Sequence, residues 1–432
     1  MYISKVTIKN IRGFESLEFD LSRGNDKYAG WTVFTGDNGS GKSTLLKAIA
    51  VALTGKDTAR ALQPSFHRWI RDGASDEACI QLEIVRCIED DSITEPGSKP
   101  SAQFPAKIVL HGIGKDTVLQ SAIPQKKPKN YSTPERTVWS VDAKGWFSCG
   151  YGPFRRVFGA SPEAARQMVA PATERFITMF QEAASLAEVD QWLRNLKHKD
   201  FEGRAAEREQ LNLLLEILRD DLLPNQITID RVDSDGLWLK DRNGVQLAWP
   251  EMSDGYRAAL ALLADIVRHL INAYGIEGLT ERDDDNRVFI KRSGVVLIDE
   301  VDAHLHPEWQ REIGFWLKRH FPNIQFLVTT HSPIICQAAD ENGLFVLPEP
   351  GSDAKPRALT EEEYNKVISS RPDTILLTPA FGLQNTRSPR AVEGRAEFAK
   401  LQAKRRGGGK LTNGEEARLK QVELFADTQE EI

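Results

Sequence analysis

Apolar and polar positions alternate through the first 36 residues. Tyr2, Ile3, Val6, Ile8 and Ile11, then Leu17, Phe19 and Leu21, then Trp31, Val33 and Phe34 keep a two-residue spacing, which puts one set of side chains on one face of a strand. Three short strands are expected. KSTLLKAIAVALT, 42–54, changes to helical spacing, and Gly55 stands where such a helix would stop. ACIQLEIVRCI, 78–88, returns to the strand pattern. Residues 90–138 are rich in Pro, Ser, Asp and Lys and read as a long loop carrying the basic run QKKPK at 125–129. Helical periodicity then runs through 161–224, two short strands and a turn fill 226–248, and a long apolar helix covers 255–275. VVLID (295–299) and FLVTT (326–330) read as strands buried on both faces, with a helix at 307–320 between them. Beyond 350 the chain is polar, with RRGGGK at 405–410 and a charged helix at 412–426; no repeats are found. Strands and helices in this order predict an α/β protein with a mixed sheet and a helical insertion.

Composition narrows the picture only slightly. The chain has 432 residues, 41% hydrophobic and 27% charged, with net charge −6. Its length suits one large α/β domain with insertions, or two lobes. The acidic balance argues against a broad polyanion-binding surface and leaves local basic patches open. Cys79, Cys87, Cys149 and Cys336 show no CxxC spacing and read as buried thiols in a reducing compartment. No apolar stretch reaches membrane-spanning length and Met1–Asn10 does not look like a signal peptide, so a cytoplasmic protein without a membrane partner is expected.

The chemistry is concentrated in four places. GDNGSGKSTLL, 36–46, follows a strand and opens a helix, with Gly36, Gly41, Lys42 and Ser43 at the phosphate-loop spacing. Glycines there let backbone N–H groups close on phosphate oxygens at a helix N-terminus. Lys42 would neutralise phosphate charge, and the Ser43 hydroxyl would serve a Mg²⁺ ion. VVLIDEVDAHLHP ends a buried strand in two acids: Asp299 for the metal, Glu300 to orient or deprotonate water. MSDGYRAALALL puts Ser253 and Gly255 at a helix start, a place for phosphate donors. In TTHSP, His331 follows the next strand, within reach of a γ-phosphate or the water.

Phosphate loop, serine–glycine helix start, acidic pair and histidine, in that order, resemble the ATP-binding cassette ATPases of the Rad50, RecF and SMC branch. MYISKVTIKNIRGF, 1–14, is similar to that branch's opening strand and Arg-Gly loop, and WIRDGASDEACI, 69–80, to its arginine-bearing hairpin. The resemblance covers most of 1–88 and 225–347. It implies a cassette-type ATPase head on a mixed sheet, divided as 1–155, a helical lobe at 156–225, 226–350 and a docking or oligomerisation tail at 351–432. It also implies ATP and Mg²⁺ held by Arg12, Asn38, Gly39, Gly41, Lys42, Ser43, Thr44 and Asp299, with Glu300 and His331 catalytic. In such proteins the signature segment of one subunit closes on the nucleotide of another, which implies that Ser253 and Gly255 act in trans within a homo-oligomer. Three departures stand out: SDGY replaces the usual signature ending, His306 stands where an Asp is usual, and no linking-loop glutamine is evident. WFSCGYGPFRR, 146–156, occupies that loop's place, with Arg155 open as a lobe contact, a trans contact or a surface charge. The helical insertion is too short for a long coiled coil.

GVVLIDEVDAHLHPEWQREI with FPNIQFLVTTHSPII is similar to short bacterial ATPases of anti-phage operons, the Septu ATPases among them. That resemblance implies an oligomeric ATPase controlling a partner nuclease of the HNH type, with DNA reached through the complex. Alternatives are a RecF-like ATPase acting directly on DNA, an ATPase of the PARIS defence type with a Toprim partner, and a nucleotide-locked scaffold that scarcely turns over. No HNH pattern or Toprim-type acidic cluster is read in the chain, so cleavage is expected to need the partner. EEYNKVISSRPDTILLTPAFGL and GEEARLKQVELFA are open as a capping structure or a docking element, and QKKPK and AKRRGGGK as solvated loops or phosphate contacts.

Overall fold

A computed structural model describes residues 1–74, 77–93, 101–113, 116–122, 134–155, 171–181, 186, 188–224, 226–352 and 354–423. Strands β1 (Tyr2–Ile11), β2 (Phe14–Asp20) and β3 (Gly30–Thr35) lead into helix α1 (Lys42–Leu62). β4 (Ala78–Val85), β5 (Gln103–Ile113), β6 (Asp116–Ser121) and β7 (Ser148–Tyr151) precede the helices α2 (Pro171–Glu174), α3 (Ile177–Phe180), α4 (Glu188–Phe201) and α5 (Ala205–Arg219). A meander of β8 (Thr228–Asp233), β9 (Gly236–Lys240) and β10 (Gln246–Ala248) is followed by α6 (Asp254–Tyr274) and the hairpin β11 (Thr280–Arg282), β12 (Val288–Ile290). Then come β13 (Gly294–Ile298), α7 (Pro307–His320), β14 (Ile324–Thr329), α8 (Pro333–Cys336), β15 (Leu344–Val346), β16 (Arg357–Ala358) and α9 (Glu361–Ser369). The chain divides into compact units at Met1–Ser370 and Arg371–Ile432, so the division falls later than residue 350.

Two sheets organise the larger unit. One is antiparallel, ordered β2-β1-β4-β5-β6; the other is ordered β16-β15-β3-β14-β13-β7, with β15, β3, β14, β13 and β7 parallel. Helix α1 packs against both. Its Leu45, Ala48, Ile49 and Ala52 share one core with Ile8, Ile80 and Ile108 of the first sheet and Phe34, Val295 and Leu327 of the second. Burying each Leu, Ile, Val or Phe side chain of this set contributes about 1.5–3 kcal/mol, which fixes α1 and the loop before it. The sheets are also stitched by the fully buried Gln325. Its amide accepts from Ile3 N–H and donates to Ile3 C=O, both at 2.8 Å, so no polar group is left bare.

Patterning and structure agree for β1–β4, α6, β13, α7 and β14. Three expectations change. The segment read as a loop at 90–138 contains the hairpin β5–β6: Phe104, Ala106, Ile108 and Leu110 alternate inward and β5 pairs with β4 from Ala78↔Leu110 to Val85↔Gln103. Pro105 inside that run and its polar flanks hide the period. Gly55 (φ 77°) does interrupt α1, but helical turns resume to Leu62. An added Cβ there would meet the Trp139 ring at 2.8 Å, and Trp139 Nε1 donates to Ala52 C=O at 2.8 Å; the glycine admits an indole as well as a bend. The stretch 226–248 holds three strands instead of two. The insertion is helical where described, with α4 and α5 of 14 and 15 residues, lengths that make no coiled-coil arm. QKKPK and residues 161–170 lie outside the described residues.

The second unit contains α10 (Pro372–Leu376), α11 (Pro389–Arg406) and α12 (Asn413–Glu423). α11 and α12 pack as a helical hairpin, joined by Arg418–Glu397 and Lys404–Glu415 ion pairs at 2.7 Å. Among the described residues no helix is long and apolar enough to cross a membrane.

Candidate nucleotide site

The parallel strands all end at one edge of their sheet, where crevices in α/β proteins form. β14 lies between β3 and β13, so the loop after β3 and the acids after β13 meet across the end of β14. The loop turns on positive φ at Gly36 (147°), Gly39 (82°) and Gly41 (95°), a region open to glycine without strain. Gly41 also lets the Phe14 ring sit against the loop, and a Cβ on Gly36 would lie 2.6 Å from the Leu347 carbonyl. Asn38 and Gly39 face solvent, while Ser43 and Thr44 are half-buried on the first turn of α1.

Lys42 is buried, and its Nζ donates to the carbonyls of Gly36 at 2.8 Å and Asp37 at 2.9 Å. Burial pushes its pKa below the ordinary lysine value, and the charges of Asp299 and Glu300 oppose that shift. The ammonium is thus folded onto its own loop, next to the carboxylates, in the place where phosphate oxygens would replace carbonyl oxygens.

Asp299 and Glu300 emerge at the end of β13. Asp299 is 1% exposed; its Oδ1 accepts from the Thr329 hydroxyl at 2.6 Å and its N–H donates to Tyr151 C=O at 2.9 Å. Its Oδ2 is buried without a hydrogen-bond partner. A buried, half-satisfied carboxylate costs free energy unless something positive completes it, so the donor set fits a divalent cation held by one carboxylate, a hydroxyl and phosphate oxygens. Ser43 is the hydroxyl that the loop contributes. Glu300 has φ 46°, and its N–H donates to the Thr329 hydroxyl at 2.8 Å. Thr329 therefore orients both acids. Sequence reading passed over it; its place two residues before His331, at the end of a buried strand, was the available signal.

His331 is exposed. Burial of part of its ring and the nearby Lys42 charge push its pKa below the ordinary imidazole value, against Asp302 and Glu300. Arg12 reaches the same helix start: its Nη1 lies 3.4 Å from Thr44 Oγ1 and its guanidinium covers the Trp69 ring at 4.9 Å. The segment after Trp69 is latched to the Arg12 turn, since Arg71 donates to Gly13 C=O at 2.7 Å.

Ser253 and Gly255 stand at the start of α6. Ser253 caps α6 by accepting from Tyr256 N–H at 3.5 Å, and Gly255 lies against the His304 backbone, where a Cβ would meet its carbonyl at 2.5 Å. His306, in the position where an Asp is usual, caps α7 by accepting from Glu308 N–H at 3.4 Å. Arg155 is neither a surface charge nor a free trans contact. It is 3% exposed and bonded to carbonyls of the acidic turn.

A phosphate loop, an acidic strand end and a histidine at one edge of a parallel sheet, with an antiparallel sheet across the loop helix, define a cassette-type ATPase head. Residues 31–337 match the family described as "AAA domain, putative AbiEii toxin, Type IV TA system", and the chain belongs to that family. It is similar to "Septu protein PtuA" of Bacillus mycoides (strain KBAB4), 25% identical over 389 residues, which are 89% of this chain and 45% of that protein. It is also similar to "Retron Ec83 probable ATPase" of Escherichia coli, 41% identical over 109 residues, 25% of this chain and 18% of that protein. The chain thus spans less than half the length of these relatives. Among solved structures, an SMC head bound to the C-winged helix domain of ScpA superposes with a TM-score of 0.50 at 17% identity, over 84% of this chain and 99% of that one.

Proposed function

We propose that this chain binds and hydrolyses ATP with Mg²⁺ as the ATPase subunit of an anti-phage defence complex. In this reading the N–H groups from Asn38 to Thr44 cradle the phosphates, Lys42 leaves its carbonyl partners for β- and γ-oxygens, and Arg12 closes over the helix start. Asp299 and Ser43 would hold the cation, which would supply charge neutralisation for the phosphates. Glu300, held by Thr329, takes the proton of the attacking water. His331, largely neutral at pH 7, donates or accepts a hydrogen bond at the γ-phosphate. One observation carries the reading: a buried Asp299 whose second oxygen lacks a partner, in the field of a P-loop lysine.

Ser253 and Gly255 complete the site of a second subunit in a head-to-tail homo-oligomer, and the assembled heads control a partner nuclease of the HNH type that contacts DNA. The names of its relatives, a Septu protein and a retron ATPase, support the defence setting. Nucleotide binding and oligomeric state test this reading together. Lys42→Ala should lower ATP affinity by about 100-fold, roughly 2.8 kcal/mol, read by fluorescent-nucleotide titration. Glu300→Gln should convert the chain to a stable ATP-dependent oligomer, read by light scattering. Tight ATP binding by the Lys42 variant would sink the loop assignment, and an ATP-loaded Glu300→Gln variant that stays monomeric would sink closure in trans.

A further inference from the structure

Arg155 has no place in that mechanism, yet it is the most heavily committed cation near the site. It lies four residues past Tyr151, the end of β7, the strand that flanks β13. Its Nη1 donates to Asp299 C=O at 2.9 Å and Gly152 C=O at 3.5 Å. Its Nη2 is shared among Glu300 C=O at 2.9 Å, Ala303 C=O at 3.1 Å and Val301 C=O at 3.4 Å. Four of these five acceptors belong to the acidic turn. Burial pushes the guanidinium pKa down to about 10, against the attraction of Asp299, Asp302 and Glu300, so it stays charged at neutral pH.

The turn it grips is a strained one. Glu300 and His304 both take positive φ, 46° and 68°, a conformation that costs a non-glycine residue free energy and persists only where its surroundings over-determine it. Carbonyls brought together by such a turn repel one another, and a planar, fixed fork of donors holds several at once. Lysine, with a compact head, cannot span the same set. Gly152, between Tyr151 and Arg155, is itself pressed on Thr178 C=O of α3, where no Cβ fits, so the arm that delivers Arg155 is seated from behind.

We infer that Arg155 is a positioning residue: its guanidinium clamps the 299–303 backbone so that the Glu300 carboxylate is held toward the water and the γ-phosphate. It touches neither substrate nor reacting atoms, and acts through the turn. The inference rests on the hydrolysis reading for its kinetic consequence, though not for its structural one. Displacing a catalytic group by about 1 Å costs on the order of 100-fold in rate, while the phosphate-binding loop is a separate segment.

The test compares wild type, Arg155→Lys and Arg155→Ala in the full chain. Three readouts are ATP affinity by fluorescent-nucleotide titration, turnover with and without added guanidinium, and amide exchange across 299–305. The expected result is kcat down 10- to 100-fold in both variants, KM and ATP affinity within threefold, and faster exchange at Glu300 and Val301. Guanidinium should return part of the lost rate to Arg155→Ala and none to Arg155→Lys, whose side chain still fills the space. Wild-type kcat or unchanged exchange in the variants would overturn the inference. So would a parallel loss of affinity and rate, or collapse of the fold in both, since Arg155 would then be a binding or stability residue. If wild type itself shows no turnover while exchange loosens in Arg155→Lys, hydrolysis fails and the clamp stands.

Discussion

At the residue scale, one hydroxyl does more than its sequence context suggests. Thr329 donates to Asp299 Oδ1 and accepts from Glu300 N–H, so a single side chain aligns both residues of the acidic pair. Thr329→Val keeps the shape and removes both bonds, leaving a buried carboxylate oxygen and a backbone N–H unsatisfied. That should cost about 1–3 kcal/mol of stability and lower turnover, whereas Thr329→Ser should restore both. Denaturant unfolding and phosphate release measure the pair; a valine variant with wild-type values for each would remove Thr329 from the site. The placement of Lys42, Asp299 and Glu300 as candidate residues was legible in the sequence because local spacing marks it: glycines before a helix, acids after an apolar run. Thr329 and Arg155 were not. Their roles depend on which carbonyls and carboxylates long-range pairing brings to them, across 30 and 144 residues, and spacing does not carry that information.

At the element scale, α6 links the two halves of the proposed mechanism. Its first turn carries Ser253 and Gly255, and midway along it Asp265 accepts from the Tyr151 hydroxyl at 3.0 Å. Tyr151 ends β7, pairs with Ile298 and accepts from Asp299 N–H. Asp265 is also paired with Arg268 at 2.8 Å and His269 at 3.2 Å. Burial alone would raise its pKa, but His269, Arg268 and the Tyr151 hydroxyl outweigh burial and hold it below the ordinary carboxylate range. Removing one member of a buried, paired cluster strands the others. Asp265→Ala should therefore lower unfolding free energy by about 3–5 kcal/mol, measured by denaturant titration at pH 7; a loss under 1 kcal/mol would mean that the cluster is not a tie between α6 and β7. The strands and helices of this region were readable because each is a plain run: β13 and β14 are wholly buried, and α6 has a serine cap and a Gly275 stop. β5 was missed because composition was weighed above period. Its inward positions Phe104, Ala106, Ile108 and Leu110 do alternate, within a segment whose Pro, Ser and Lys content reads as loop.

At the scale of the whole molecule, the proposed mechanism divides the candidate residues into two groups. Lys42, Asp299, Glu300, Thr329 and His331 converge at one sheet edge, while Ser253 and Gly255 lie by His304. The order of motifs makes the cassette architecture legible in the sequence, because the motifs are local and their order follows from the sheet topology. The role of the Arg371–Ile432 unit was not legible: its helices are amphipathic or charged, and such a pattern serves equally as a cap or a docking surface. The central claim is that the acidic turn makes this a hydrolysing site and not a nucleotide lock. Phosphate release at saturating Mg·ATP, measured for wild type and Glu300→Gln side by side, tests it most directly. The account predicts repeated turnovers for wild type and a fall of about 100-fold or more for the glutamine variant, with ATP still bound. Equal rates for the two chains would contradict it.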